Sequence, residues 1–229
     1  MRVVPCALAL LIAGPACAQV SGSVTLLSDF RYRGTSLSDG LPTAQAMVAL
    51  DRDDGWYGGL QLTRVHFMYP GAQAELQAIP YVGFVHGLHS GLNVEAGVQY
   101  AGYSHSHDYG ETDVYVGLSG RQLRSRLSWT PHYFGQSPAW YAELDGSHAL
   151  RTPWRVVGHV GVLQTRDYAE YGVGEQRVRV DAAAGVAVTL HGFDVRATWT
   201  TVSGQATAAC VPWQCGARNG WVLSLSRSW

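Results

Sequence analysis

The stretch Arg177-Val178-Arg179-Val180-Asp181-Ala182-Ala183-Ala184-Gly185-Val186-Ala187-Val188-Thr189-Leu190-His191-Gly192-Phe193-Asp194-Val195-Arg196-Ala197-Thr198-Trp199 decides the fold. Val178, Val180, Ala182, Ala184, Val186, Val188 and Leu190 share one side of a period-two pattern, and Arg177, Arg179, Asp181 and Thr189 share the other. Beyond His191-Gly192 the pattern resumes with Phe193, Val195, Ala197 and Trp199 opposite Asp194, Arg196 and Thr198. Successive side chains of a strand point to opposite faces, so this is a hairpin with one apolar and one charged face.

The same alternation recurs outward from this hairpin, as in Leu92, Val94, Ala96, Val98 and Tyr100 against Asn93, Glu95, Gly97 and Gln99. It predicts twelve strands, at residues 23–33, 42–50, 56–64, 74–85, 91–100, 111–119, 124–132, 140–149, 154–163, 176–190, 193–202 and 221–229, with ten or fourteen as alternatives. Tight turns at 51–55, 86–90, 120–123, 150–153 and 191–192 alternate with longer loops at 34–41, 65–73, 101–110, 133–139, 164–175 and 203–220. Short and long connections in strict succession are the organisation of an antiparallel up-and-down transmembrane β-barrel with short periplasmic turns.

A soluble β-sandwich also has strands with one apolar face. Aromatic placement argues for the barrel. On the apolar face Trp56, Phe84, Trp154, Phe193 and Trp229 fall beside short turns, and Tyr32, Tyr100, Trp140 and Trp221 beside long loops. Two aromatic rings at opposite strand ends are the girdles of the two membrane interfaces. Hydrocarbon offers no hydrogen-bond partner to the backbone, so the strands must close on themselves. The last strand keeps its large residues at odd positions and ends on Trp229; Arg227 breaks that pattern one step from the interface, where it costs only about 0–1 kcal/mol.

The composition agrees. Charged residues make up 14% of the 229, no Lys is present, and 16 Arg face 17 Asp and Glu for a net charge of −1, which gives no bulk attraction to nucleic acid. Arg2, the apolar run at residues 3–13 and Ala16-Cys17-Ala18 form a signal-peptide pattern with cleavage after Ala18, leaving residues 19–229 as one barrel domain in the outer membrane of a Gram-negative bacterium. The exported chain then keeps Cys210 and Cys215, an even pair that suggests a disulfide in an oxidising compartment.

The run Ser28-Asp29-Phe30-Arg31-Tyr32-Arg33-Gly34-Thr35-Ser36-Leu37-Ser38 resembles the N-terminal signature of the TorF-type porin family of proteobacteria. Further similarity lies in Gly55-Trp56-Tyr57-Gly58-Gly59, in Gly97-Val98-Gln99-Tyr100 with residues 111–117, and in Leu223-Ser224-Leu225-Ser226-Arg227-Ser228-Trp229. The resemblance implies an outer-membrane barrel whose solute is mostly unassigned. At residues 103–110 this sequence departs from it, with His105-Ser106-His107 in place of a Tyr-Pro type of sequence.

Parity points Arg31, Arg33, Arg124, Arg126, Arg155, Arg177, Arg179 and Arg196 inward, opposed by Asp29, Glu75, Glu95, Asp113, Glu143, Asp145, Asp181 and Asp194. Such residues line a wet passage or pair into a network that fills it. The expected function is a porin passing small solutes or ions through a narrow polar lumen with weak selectivity. Arg177, Arg179 and Arg196 facing Glu143 and Asp145 would set a transverse field. The alternatives are a closed or plugged barrel with a structural or surface-binding role, and a lipid hydrolase using His105, Ser106, His107 and Asp108. Adjacent loop residues rarely present nucleophile and base to each other, so no enzyme is expected. The same histidines with Asp108 are a weak metal candidate, but no metal or cofactor is expected; His132 and His159 read as polar wall. The expected partners are the lipid bilayer, small solutes, and the outer-membrane insertion machinery acting on the strand that ends at Trp229.

Overall fold

A computed structural model of the chain describes residues 18–66, 73–89, 91–166, 178–203 and 219–229. The expected leader apart from Ala18, Arg177, and Cys210 with Cys215 lie outside those residues.

The chain forms a closed antiparallel barrel of twelve strands in which sequence neighbours are hydrogen-bonded neighbours throughout. The staves are β1 (Ala18–Leu27), β4 (Thr43–Arg52), β5 (Trp56–His66), β6 (Ala74–Gly87), β7 (Asn93–Tyr103), β8 (Glu111–Ser119), β9 (Leu123–Tyr133), β10 (Ser137–Arg151), β11 (Trp154–Thr165), β12 (Val178–Leu190), β13 (Phe193–Val202) and β14 (Gly220–Ser228). Two further two-residue strands, β2 (Arg31–Tyr32) and β3 (Thr35–Ser36), pair with each other apart from the barrel. The staves run from 9 to 15 residues, enough for the about 9–11 that a tilted strand needs to cross hydrocarbon. No helix among the described residues is long and apolar enough to cross a membrane.

Alternation becomes an inside and an outside. On β8, Val116 is 55% exposed on the outer wall while the adjacent Tyr115 is 4% exposed inside. Trp56, Phe84, Trp154, Phe193 and Trp229 are exposed at the short-turn end, and Tyr100, Trp140, Trp199 and Trp221 at the other. Trp56 meets Phe84 edge-on at 5.5 Å, and Trp199 meets Trp221 at 5.7 Å. Arg227, which interrupts the apolar face, lies over the ring of Phe193 at 5.0 Å in a cation–π contact.

Large inward side chains are accommodated by inward glycines. Tyr81 lies over Gly59, Tyr57 over Gly83, Tyr115 over Gly97 and Tyr141 over Gly161, each ring occupying the place a Cβ would take. The small residue on one strand therefore makes room for the ring of its neighbour.

Two expectations are corrected. The first strand was expected to run to residue 33 but ends at Leu27, and residues 28–38 turn into the lumen while 39–42 are exposed. Arg33 and Gly34 have positive φ (49° and 79°), the conformation of a two-residue type I′ turn between β2 and β3. Parity cannot reveal this, because a strand continued to residue 33 also points Arg31 and Arg33 inward. Tyr32 accordingly sits inside the barrel, with its hydroxyl on Glu111, and takes no part in the outer girdle. His132 also differs from expectation. A register shift in the β9–β10 pairing brings Tyr133 inward and leaves His132 exposed.

At the hairpin tip a Cβ on Gly34 would lie 2.6 Å from Cβ of Asp181 and 3.0 Å from Cγ2 of Val202, and the left-handed conformation costs an L-residue about 1–2 kcal/mol. Gly34→Val is therefore expected to expel the tip. In limited trypsin digestion of the folded protein, the variant should be cut after Arg31 or Arg33 while the parent resists. Equal resistance in both would show that the tip does not hold the hairpin in place.

Candidate functional site

The hairpin divides the lumen. In the long-loop half, Phe30 and Leu37 pack against Val65, Tyr103, Tyr133, Phe134 and Leu163 in a buried apolar cluster. Asp29 ties the loop to itself, accepting from Ser36 Oγ (2.5 Å), Ser38 Oγ (3.0 Å) and Arg31 Nε (2.7 Å). His66 N donates to Leu37 O at 2.6 Å, joining the loop to the end of β5.

Arg33 is the anchor. Its guanidinium donates to Asp113 Oδ2 at 2.7 Å, lies 3.5 Å from Glu111 Oε1, and sits 5.0–5.5 Å from the ring centres of Tyr32, Tyr133 and Tyr141. Its carbonyl accepts from Arg179 Nη2, which also donates to the Tyr133 hydroxyl, both at 3.1 Å. Tyr32 OH donates to Glu111 Oε1 at 2.7 Å, and Phe134 N donates to Glu111 Oε2 at 3.0 Å. Removing one partner of a buried ion pair costs about 3–5 kcal/mol because the other charge is left uncompensated, so loss of the Arg33 guanidinium would strand Asp113 and Glu111.

Beneath the hairpin the barrel encloses a cavity of about 760 Å³. Four arginines (Arg31, Arg33, Arg124, Arg126) and four carboxylates (Glu95, Glu143, Asp145, Asp181) line it. They come from the hairpin and from β7, β9, β10 and β12. The opposite wall, built from β4, β5 and β13, offers Gln45, Gln61, Tyr57 and Thr200. Glu95 gathers the charges of its sector: Arg126 Nη2 approaches to 2.9 Å, Arg124 Nε to 3.8 Å, and Tyr57 OH donates to it at 2.8 Å. Arg126 also stacks over Tyr115 at 4.0 Å.

Of the other expected lumen residues, Asp113 and Arg179 are buried behind the hairpin and Asp29 within it. Glu75 is buried at the rim, where it accepts from His105 N (3.0 Å), Ser106 N (2.8 Å) and the Ser106 hydroxyl. That hydroxyl is thus committed to Glu75, while His105 Nδ1 meets Ser104 Oγ. The hydrolase arrangement of Ser106 with a neighbouring histidine is absent among the described residues. Asp194 lies near the short-turn end between Arg155 (2.6 Å) and Arg196 (3.3 Å), in partly exposed pairs of the kind worth about 0–1 kcal/mol. Among the described residues, the expected arginine ladder opposite Glu143 and Asp145 is absent. Arg179 holds the hairpin, Arg196 faces Asp194, and Arg177 lies outside the described residues.

The lumen tyrosines were not singled out from the sequence. The signal for them is inward Tyr at the same height as inward Gly on the next strand. Also missed was the role of His159, which bridges Asp145 (Nδ1 to Oδ1, 2.8 Å) and Asp181 (Nε2 to Oδ1, 2.9 Å), with the Tyr141 hydroxyl 3.1 Å from its Nε2.

Among curated proteins no sequence relative is found. Solved structures share the architecture. The KdgM porin superposes with a TM-score of 0.54 at 8% identity, covering 91% of this chain and 98% of that one. The NanC porin superposes with a TM-score of 0.57 at 7% identity, with coverages of 91% and 98%. A structure titled "KdgM porin in complex with disordered oligogalacturonate" gives 0.54 at 7% identity, covering 93% and 99%. Identities this low establish a shared fold. The family model described as "Bacterial protein of unknown function (Gcw_chp)" matches residues 13–229, so the chain belongs to that bacterial family.

Proposed function

We propose that this protein is an outer-membrane porin of a Gram-negative bacterium, passing small solutes or ions through a lumen narrowed by the hairpin within residues 28–42. The observation that carries the reading is the charged cavity of about 760 Å³ inside an apolar shell. A barrel with only a structural role has no need to line a cavity of this size with eight charged side chains. A passage works by letting fixed polar groups replace part of a solute's hydration, and this lining offers both signs of charge on one wall and neutral donors and acceptors on the other. Twelve strands lie between the eight that side chains can fill and the sixteen or more that leave an open channel. The fold shared with the KdgM and NanC porins and the resemblance to TorF-type porins support the same reading, as does the outer wall with its aromatic ends. With it go a cleaved leader at residues 1–18, a barrel domain at 19–229, a Cys210–Cys215 disulfide, and insertion through the strand ending at Trp229.

A second reading, a plugged barrel with a structural or surface-binding role, is favoured by the apolar cluster and ion pairs that hold the hairpin. Planar-bilayer recording separates the two. The parent protein is expected to give small, regular conductance steps with weak ion selectivity. Arg33→Ala, and a variant with residues 30–37 replaced by Gly-Gly, are expected to at least double them. Silence of the parent with steps from the excised variant would establish the plug. Silence of both would remove the pore altogether.

Immersion in lipid is tested on the outer wall. Arginine at the bilayer midplane costs about 2–4 kcal/mol and near an interface about 0–1 kcal/mol. In denaturant unfolding from vesicles, Val116→Arg, at the middle of β8, is therefore expected to destabilise by about 2–4 kcal/mol. Leu150→Arg, beside a short turn, should change stability by less than about 1 kcal/mol. Equal, small effects at both positions would place this wall in water.

A further inference from the structure

The arginines of the cavity make their ion pairs with other carboxylates, although Arg126 and Arg124 are the cross-strand neighbours of Glu143 and Asp145. Arg31 is paired with Asp29, Arg33 with Asp113 and Glu111, and Arg124 and Arg126 with Glu95. On the wall made by β10, β11 and β12 this leaves Glu143, Asp145 and Asp181 with a single nitrogen base among them, His159. Glu143 makes no hydrogen bond or ion pair to any described residue. One ligand atom from each of Glu143, Asp145 and His159 lies within 4.8 Å of the others.

The imidazole contacts decide what this cluster can hold. Asp181 is supported by Tyr141 OH (3.3 Å) and lies 2.9 Å from Nε2 of His159, which can donate to a carboxylate only when it carries a proton. With the proton on Nε2, the lone pair of Nδ1 points at Asp145 Oδ1 only 2.8 Å away. Two lone pairs at that distance repel unless a positive charge lies between them, either a proton on Nδ1 or a metal cation. A carboxylate holding the far nitrogen of a metal-binding histidine is the usual outer-shell arrangement, because it fixes the tautomer and ring orientation. Glu143 and Asp145 are two apart on one strand and both face the lumen, and Asp145 is the direct cross-strand partner of His159.

We propose that Glu143, Asp145 and His159 form a divalent transition-metal site in the lumen wall, with Asp181 orienting His159 and the remaining coordination positions open to the cavity. One imidazole with two carboxylates suits Zn²⁺, Co²⁺, Ni²⁺ or Mn²⁺. Binding at about 2.0–2.2 Å requires only that side chains already within reach draw together. Glu143, Asp145 and Asp181 bring three negative charges to the site, of which Arg126 and Arg124, the cross-strand neighbours of Glu143 and Asp145, offset a part. This site is separate from the surface group His105, His107 and Asp108 and does not depend on the pore reading.

The test uses the purified, folded full-length protein in detergent, titrated with Co²⁺ alone and followed by its visible absorption and by equilibrium dialysis, with Zn²⁺ as competitor. One Co²⁺ per chain is expected, displaced by Zn²⁺, and lost in His159→Ala. Asp181→Asn should weaken it by about 10–100-fold, as for other outer-shell partners. The double variant His105→Ala, His107→Ala should bind as the parent does. Folding of each variant is checked by its altered gel mobility before and after boiling. If His159→Ala does not fold, Glu143→Gln, which loses no hydrogen bond, carries the test, and at least tenfold weaker binding is expected. Absence of saturable binding in the folded parent, binding that survives His159→Ala, or unchanged affinity in Glu143→Gln would each overturn the proposal.

Discussion

The constraint on which the molecule depends is the seam between its first and last strands. β1 pairs with β4 from Ala18↔Arg52 to Leu27↔Thr43, and with β14 from Ser23↔Ser228 to Leu27↔Ser224. The seam is extended at both ends, by Gly22 and Trp229 exchanging backbone hydrogen bonds at 3.0–3.1 Å and by Ser28 N donating to Leu223 O at 2.9 Å. In hydrocarbon an unpaired backbone group costs several kcal/mol with no water to relieve it. A sheet that leaves no edge has an inside and an outside, and every alternation in the sequence is then assigned to one or the other.

Closure at twelve strands creates an interior that strand side chains alone do not fill, and the molecule answers this differently in its two halves. Toward the long loops, the segment that follows β1 turns inward and supplies Phe30, Leu37 and Tyr32 as core, with Arg33 held by Asp113 and Glu111. Toward the short turns no segment of the described residues enters, tyrosines lie over glycines, and a polar space remains. The hairpin therefore determines both how much of the lumen is solid and which charges remain for anything that enters it. By occupying Asp113 and Glu111 it takes Arg33 out of the cavity's free charge, and the acidic cluster around His159 keeps only Arg124 and Arg126 of β9, both paired with Glu95, as its arginine neighbours.

Much of this was readable beforehand, and the reasons differ from element to element. The hairpin of β12 and β13 was legible because period two is a property of the backbone, independent of what the strand packs against. The outward placement of Trp56, Trp154, Trp229, Tyr100, Trp140 and Trp221 was legible for a related reason, since it follows from strand parity and needs no inward partner to be specified. Tyr32 was misassigned because its parity is the same in a continuing strand and in a hairpin folded back. Only the positive φ of Arg33 and Gly34 distinguishes the two. Glu75 and Arg179 were counted as lumen wall because parity says which side a residue faces and nothing of its depth.

Although β9 and β10 are joined by three residues, 134–136, where a longer loop at 133–139 was expected, the sequence by itself determined the class of fold, a count of about twelve strands and the sign of each face. All of these follow from local periodicity and from the refusal of hydrocarbon to bond the backbone. Which charge meets which was decided by the tertiary structure alone. Arg33 reaches Asp113 across 80 residues, and His159 joins carboxylates 14 and 22 residues away, because closing the ring brings distant staves to a common height. Coulombic partnership depends on that height and on the path of one inward hairpin, and neither is encoded in any single strand.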